Sequence, residues 1–581
     1  MQLEDIKCEL VQESYLSRVK VYENIKINKK KYPVVVKCNI EVLNEYYPII
    51  IGIHEDWAQK LVDIYVDTDD VIYIPHIDRE KKLCLFDLEG VIIEENIIGI
   101  LKQCIRRAKE LLISGLSQDN WNDFLYEFDS YIACLPNCKI LKVVMPDNKK
   151  TQKMYYCLAN KIDKNRRTKE KYSAYLERIK EKSYFASYDS KDFNTWGYTN
   201  TIRRGLFVSI KPEHSIYPPK YNKNFNLDDL NSILSYIEPF KEIEEFFNEN
   251  RSDKFLIIGI EQPEGIFNAF GVLIKEGFFV IDSKVICKSA QQIIPLLLER
   301  LDEESLLSRT SYDKNKLSDK KYLLIGCGSI GGYLFYNLIK SGCKNIDLVD
   351  PDMLRAENIY RHLLGIEYIG NYKVEALRIF GEKNIPNLNI KAIVNKIQDS
   401  FEENDIHFED YDYIIAATGN EILNRWINDY IFKNNILAPV LYIWNEPLDI
   451  GSHVAIIQKG RAGCYDCFFK RNNLGELSNI MSYCKPGQEF TKNISGCGGS
   501  YIPYGSLLSI QSGLLFMDIL KKYSEGRIKE NMIISEKGDD FHFSKAELDP
   551  SDRYITQKCK VKSVLGTEFK NKKCKVCGVN K

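Results

Sequence analysis

Near Tyr322 an apolar run, Tyr322-Leu323-Leu324-Ile325, enters Gly326-Cys327-Gly328-Ser329-Ile330-Gly331. A G-x-G-x-x-G behind a predicted strand and ahead of a predicted helix leaves few folds open: it is the first turn of a nucleotide-binding α/β unit. Gly326, Gly328 and Gly331 allow a tight turn and close backbone approach, so a phosphate can rest on the helix N-terminus. A second predicted strand, 346–349, runs into Asp350-Pro351-Asp352. Asp350 stands nineteen residues after Gly331, where a carboxylate meets a ribose. Alone, the fingerprint would read as nicotinamide binding. Asn358, Arg361 and Lys373 follow within a few turns of the acid, and they suit triphosphate chemistry better than hydride transfer.

The 581 residues as a whole are material for three or four domains. A net charge of −1 supplies no overall field for nucleic acid or an anionic membrane, so neither is expected as a partner. The start, Met1-Gln2-Leu3-Glu4-Asp5, is acidic and unlike a signal peptide. The longest apolar stretch, 507–520, is broken by Ser509, Gln511, Ser512 and Asp518, short of a membrane span. Together these predict a cytoplasmic protein. Its seventeen cysteines then read as thiols and metal ligands.

Residues 1–145 read as one α+β domain: a helix over 3–18, strands near 32–43, 47–53 and 63–74, and a helix over 98–114 stopped by Gly115. The 149–182 stretch is strongly basic and reads as a solvated linker or helix. Strands are expected at 254–260 and 271–285 and a helix at 290–301, making 146–308 an α+β connector. From 309 to 581, strand and helix alternate at 322–325, 330–341, 346–349, 373–380, 390–394, 413–417, 421–432 and 440–442. That predicts a doubly wound parallel, Rossmann-like sheet.

Joining a carboxylate to ATP at the α-phosphorus expels pyrophosphate, and the developing charge calls for Arg, Lys and Mg²⁺. Arg361 and Lys373 are the donors, and Asn358 can bond phosphate or ribose. The set Asp350-Pro351-Asp352, Asn358-Ile359-Tyr360-Arg361 and Lys373 resembles the ubiquitin-activating superfamily, including its bacterial ThiF and MoeB members. The family's D-x-D, N-x-x-R and a lysine twelve residues on all fit by position. The resemblance implies ribose binding by Asp350 and phosphate contacts by Asn358, Arg361 and Lys373. Arg309 corresponds to the family's upstream arginine, although its flanking motif differs. Where the family carries a Mg²⁺-binding aspartate this chain has Gly419, which leaves Asp352, Glu421, or phosphate and water to hold the metal.

Cys464-x-x-Cys467 and Cys574-x-x-Cys577 are two knuckles suited to one tetrahedral Zn²⁺, with Cys559 as a substitute ligand. Cys134 and Cys138 read as ordinary thiols. Between the knuckles, Ser495-Gly496-Cys497-Gly498-Gly499 puts a cysteine in a Gly-rich loop shortly before a predicted helix, which can lower a thiol pKa. Such a thiolate can attack an acyl-adenylate to give a thioester. In the family the nucleophile stands where Cys497 does; Cys484 is the alternative.

The stretch from Pro75 and His76 to Cys84 resembles the active-site segment of ubiquitin-conjugating enzymes, whose H-P-N precedes the catalytic cysteine. Pro75 matches the proline, Ile74 replaces the histidine and His76 replaces the asparagine. The resemblance implies that Cys84 carries a thioester and that His76 supports its oxyanion as a donor. A conjugating-type domain ahead of an activating-type domain resembles the fusion protein of bacterial CBASS anti-phage operons. That likeness implies action on the C-terminus of a cGAS/DncV-like nucleotidyltransferase, and the resemblance to activating-type domains, of which one is present here, implies a homodimer. Two readings stand beside it: a sulfur-carrier activating enzyme that does not use Cys84, and a module that binds nucleotide without catalysis.

Overall fold

The computed structural model describes residues 3–28, 30–57, 60–68, 72–78, 80–86, 96–159, 183–198, 200–220, 223–239, 241–248, 253–308, 317–471, 475, 477–490, 492–493, 500–501 and 503–578. Arg309, Cys497 and most of the basic 149–182 stretch lie outside them. The chain divides into two compact units, Met1–Leu301 and Asp302–Lys581. Among the described residues no helix is long and apolar enough to cross a membrane.

The first unit opens with a four-stranded antiparallel meander: Leu16–Ile27, Lys30–Val42, Glu45–Ile53 and Asp63–Val66. Its inner rows, including Val34, Val36, Ile49, Ile51 and Ile64, pack on Ile100, Leu101, Ile105 and Leu112 of the helix Ile97–Leu116. Several sequence expectations are corrected here. The first helix stops at Val11, because alternating Leu16, Val19 and Val21 take up a strand. The strand expected over 63–74 ends at Val66. Gly115 lies inside the helix rather than ending it; a Cβ there would stand 2.6 Å from Ile74 Cβ, so its bareness serves packing.

Asp63, the first residue of the fourth strand, is buried and takes Lys30 at 2.6 Å, Lys82 at 2.7 Å, the Tyr32 hydroxyl at 2.5 Å and His54 at 3.1 Å. Burial opposes its charge, but Lys30, Lys82 and Tyr32 hold the carboxyl well below the usual range. A carboxylate with a depressed folded pKa stabilises above its unfolded pKa, and that stability is lost as pH falls below it. Asp63→Asn is therefore expected to cost about 2 kcal/mol near neutral pH. The gap from wild type should narrow in acid, as denaturant melts at two pH values would show.

The second half of the unit is a closed seven-stranded barrel: Phe267–Lys275, Gln292–Arg300, Lys139–Val144, Tyr184–Ser187, Gln152–Leu158, Arg203–Ile210 and Lys254–Glu261 in spatial order. Its first strand in sequence, Lys139–Val144, starts ahead of the 146 boundary. The helix expected over 290–301 is the strand Gln292–Arg300. Pro295 biases Ile294 toward extended backbone and stands just before parallel pairing begins at Leu296. The single strand expected over 271–285 is two, Phe267–Lys275 and Phe278–Ile281.

The second unit is built on eight strands in the order Asn389–Ile393, Asn345–Val349, Lys321–Ile325, Tyr413–Ala416, Val440–Asn445, Gly451–Ile457, Met532–Lys537 and Val561–Leu565. The first five are parallel, as expected; the last three run antiparallel and make the sheet mixed. Tyr322 and Leu324 join one core, with the helices Ser329–Lys340 and Ser506–Ser524. Leu323 and Ile325 join the other, with Glu421–Lys433. Burial on both faces explains the unbroken apolar run. The order reverses beside Lys321–Ile325, so a crevice opens at the carboxyl ends between it and Tyr413–Ala416.

Candidate functional site

That crevice holds a cavity of about 500 Å³ reaching Gly326, Asp350, Asp352, Thr418 and Trp426. Gly326 has φ +92°, and a Cβ on it would meet the Ala417 carbonyl oxygen at 2.6 Å, so glycine is required. Gly328 offers no capping side chain to the helix Ser329–Lys340, which leaves first-turn N–H groups for an anion. Asp350 accepts the Cys327 N–H at 2.7 Å and the Asp352 N–H at 2.8 Å, fixing the acid against the glycine turn. Burial raises its pKa, with Lys373 opposing. Lys373 opens the helix Lys373–Asn384, with Nζ 2.8 Å from Asp352 and 3.9 Å from Asp350.

The Asn358–Arg361 segment is bound to the same turn. Arg355 N–H donates to the Asn358 side-chain oxygen at 3.0 Å, and the Ser329 hydroxyl donates to the Arg361 carbonyl at 2.6 Å. The His362 Nδ1 accepts the Leu364 N–H at 3.0 Å, so Nε2 carries the proton and donates to the Cys327 carbonyl at 2.9 Å. Burial lowers the His362 pKa, which keeps it neutral. The Arg361 guanidinium lies 5.6 Å over the ring of Tyr504.

Sequence reasoning missed Asn395, Lys396, Gln398 and Trp426, which line the far wall of the cavity. The available signal was a polar run just past the strand Asn389–Ile393, at the carboxyl edge of the sheet. Gly419 has φ +62° and open space beside it. Glu421 faces Asn479 at 2.9 Å, and burial raises its pKa. Asp352 is two-thirds exposed at the mouth of the crevice and pairs with Lys373.

The four knuckle cysteines converge, with Sγ–Sγ distances of 3.8 Å for Cys464–Cys467, 3.6 Å for Cys464–Cys574 and 3.3 Å for Cys467–Cys577. Tetrahedral zinc at about 2.3 Å from each sulfur needs edges of about 3.8 Å, so the set fits. Asn571 N–H donates to Cys467 Sγ at 3.4 Å, and Arg425 holds Asp466 at 2.6 Å. Cys559 is exposed and stands outside the cluster.

A five-residue turn after the strand Val440–Asn445 holds residues 482–484 and 503–505. Glu446 is buried and accepts from His453 Nε2 at 3.0 Å, the Ser482 hydroxyl at 3.0 Å, Tyr483 N–H at 3.2 Å and the Cys484 thiol at 3.2 Å. Burial opposes its charge, yet these donors, His453 foremost, keep the pKa below the usual range. Burial first, then Glu446, pushes the Cys484 thiol far up, which suits a structural thiol. Leu448 and Asp449 have φ +55° and +64°, strained for a leucine. Leu448 N–H donates to the Pro503 carbonyl at 2.7 Å, and Gly505 N–H donates to Asp449 at 2.8 Å.

In the first unit Cys84 is exposed in the loop that pairs alongside the edge strand Asp63–Val66, its N–H donating to the His76 carbonyl at 2.8 Å. Partial enclosure, then Asp78 and Glu127, raise its pKa, so it rests as a thiol. His76, at φ +62°, donates from Nδ1 to Glu127 at 2.8 Å and from Nε2 to Asp123 at 2.9 Å. Glu127 and then Asp123, against burial, raise its pKa to about 9. Both ring nitrogens are engaged in this arrangement, which pins the backbone that meets Cys84. A histidine with a raised pKa stabilises fully below its unfolded value and loses that contribution as pH rises through the folded one. The His76 NMR signals are expected to titrate near pH 9, and His76→Gln should lower the melting temperature more at pH 6.5 than at pH 10.

Residues 302–549 match the model of the ThiF family, and residues 15–140 match that of the Prokaryotic E2 family B. Over 57% of its length the chain is 26% identical to "ATP-dependent ubiquitin transferase-like protein Cap2" of Pseudomonas aeruginosa, covering 61% of that protein. Over 42% it is 28% identical to the protein of the same name from Escherichia coli, covering 41% of it. The chain thus spans less than two thirds of either relative. The E. coli MccB crystal structure with ATP aligns with 46% of this chain and 68% of its own, at 20% identity and a TM-score of 0.32.

Proposed function

We propose that this chain, a ThiF-like domain behind a prokaryotic E2-like domain as in bacterial Cap2-type proteins, activates the C-terminal carboxylate of another protein and passes it along two cysteines. The observation that carries this reading is the set Asp350, Asp352, Arg361 and Lys373 around one glycine turn at the sheet crevice. ATP seats with its ribose on Asp350 and its phosphates near the uncapped helix start, Asn358, Arg361 and Lys373. Arg309, upstream, is assigned to the same phosphates. Mg²⁺, held by phosphates and Asp352, adds charge neutralisation when bound.

A carboxylate oxygen attacks the α-phosphorus and pyrophosphate leaves, giving the acyl-adenylate. The Cys497 thiolate attacks the acyl carbon and AMP departs. Cys84 takes the acyl group by thioester exchange, returning Cys497 to a thiol. A target amine then attacks the Cys84 thioester, forming an amide and freeing Cys84. The resemblance to the activating/conjugating fusion supports a cGAS/DncV-like nucleotidyltransferase as the activated protein, with a homodimer as the working form in the cytoplasm and anti-phage defence as the setting.

The test is ATP–pyrophosphate exchange alongside non-reducing gels with the activated protein. Cys84→Ala should leave exchange and the first thioester intact and abolish conjugates. Cys497→Ala should keep exchange and lose both thioesters. Conjugates that persist in Cys84→Ala would sink the relay. Gly419, where an acid is expected, favours one competing reading, a nucleotide-holding module. Tight ATP binding with no exchange in the presence of the partner is its signature.

A further inference from the structure

The connector barrel has two unlike ends. Inward rows alternate along each strand, and Leu141, Tyr156, Tyr184, Phe255, Leu273 and Leu296 fill the interior. At one end Phe267 is covered by Lys149 at 4.2 Å and Arg300 at 5.3 Å. At the other, the pairings Lys275 with Gln292, Lys254 with Ile274 and Tyr156 with Arg203 bring strand ends together, with Lys139 level with Leu296.

Two residues beyond the inward Leu141 and Leu273, the same rows carry Lys139 and Lys275; two before Gly205, whose Cβ would meet Phe255, stands Arg203. Asp253 continues the row of Phe255 between the strands of Arg203 and Lys275. It pairs with Lys275 at 2.6 Å and with Arg203 at 4.0 Å. Lys139 faces the mouth from the strand beside Gln292–Arg300. A cavity of about 500 Å³ opens here, floored by the buried Tyr156, Tyr184, Leu273 and Ile294 and rimmed by these cations, Gln292 and Asn200.

We propose that this open mouth binds a small organic anion: an apolar or aromatic body on the tyrosine floor, its charged group between Lys139 and the Arg203–Lys275 side. Three inward cations share one carboxylate among the described residues, which leaves positive charge over a partly desolvated floor. Barrel mouths with convergent polar groups are recurrent ligand sites. The floor excludes a bare inorganic ion as the best occupant, because its apolar surface would stay wet. Carboxylate and phosphate share the needed chemistry. The site is independent of the ATP crevice.

The test is ¹⁹F NMR on the full chain with 4-fluorophenyl phosphate, 4-fluorobenzoate and neutral 4-fluorobenzyl alcohol. The two anions should broaden and the alcohol should not, with the tighter anion identifying the source class. Lys139→Glu should weaken anion binding at least tenfold. Gln292→Glu, on the exposed rim, should weaken it too while leaving the melt unchanged. Lys373→Ala, in the other unit, should have no effect on it. Equal binding of the neutral ring, no anion binding at millimolar concentration, or unaltered binding in Gln292→Glu would overturn the proposal.

Discussion

Lys373→Ala is expected to lower ATP–pyrophosphate exchange by about 10²–10³-fold, the effect of removing one group aimed at transition-state charge. The ammonium sits at the head of a helix, held by Asp352 and near Asp350, so its position is fixed before nucleotide arrives. Its removal also leaves the buried Asp350 without its nearest cation, which raises that pKa further. Lys373 faces the charge developing on the phosphates, so near neutral pH the loss should fall on turnover more than on nucleotide affinity; as pH drops, protonation of Asp350 should weaken nucleotide binding as well. Exchange rates with the activated protein at two pH values, set against equilibrium nucleotide binding, separate the two terms. Loss confined to affinity would make Lys373 a binding residue only.

The second large effect is on the zinc knuckle. Cys574→Ser combined with Cys577→Ser removes half the ligands from a site that ties the 464–468 turn to the turns that follow the helix Gly566–Phe569. Losing a structural metal belongs with the costliest single changes, about 4–5 kcal/mol or more. For a unit of this size that is roughly 10 °C in melting temperature. Zinc content by mass spectrometry should fall from one per chain to none, and calorimetry should show the second unit melting early while the first is unmoved. A variant that keeps its melt after losing metal would make the cluster dispensable.

The glycine turn, the acids after the second strand and the two knuckles were legible because each places several residue types at fixed spacing in one local segment. The parallel core was legible for a related reason: strands buried on both faces read as unbroken apolar runs. The barrel was not. Its walls are short strands, and the stretch ending in Leu296-Leu297-Leu298 fits a helix until Pro295 and its cross-strand partners are known. Glu446 was invisible for another reason. Its donors come from His453, Ser482, Tyr483 and Cys484, and no local pattern announces a carboxylate satisfied by such separate segments. His76 was found by spacing, but its bonds to Asp123 and Glu127 depend on helices far along the chain.

The strained turn at Leu448 and Asp449 fixes Pro503 and Gly505, while Glu446 fixes residues 482–484. The consequence is a matter of tether length. Cys497 precedes Pro503 by six residues, and six residues of extended chain span at most about 20 Å. By chain length alone, Cys497 stays within that reach of Pro503. On the proposed reading, an acyl-adenylate formed within that radius would meet the thiol at a local concentration in the millimolar range. Lengthening the leash between Cys497 and Pro503 would dilute the thiol without touching the ATP site.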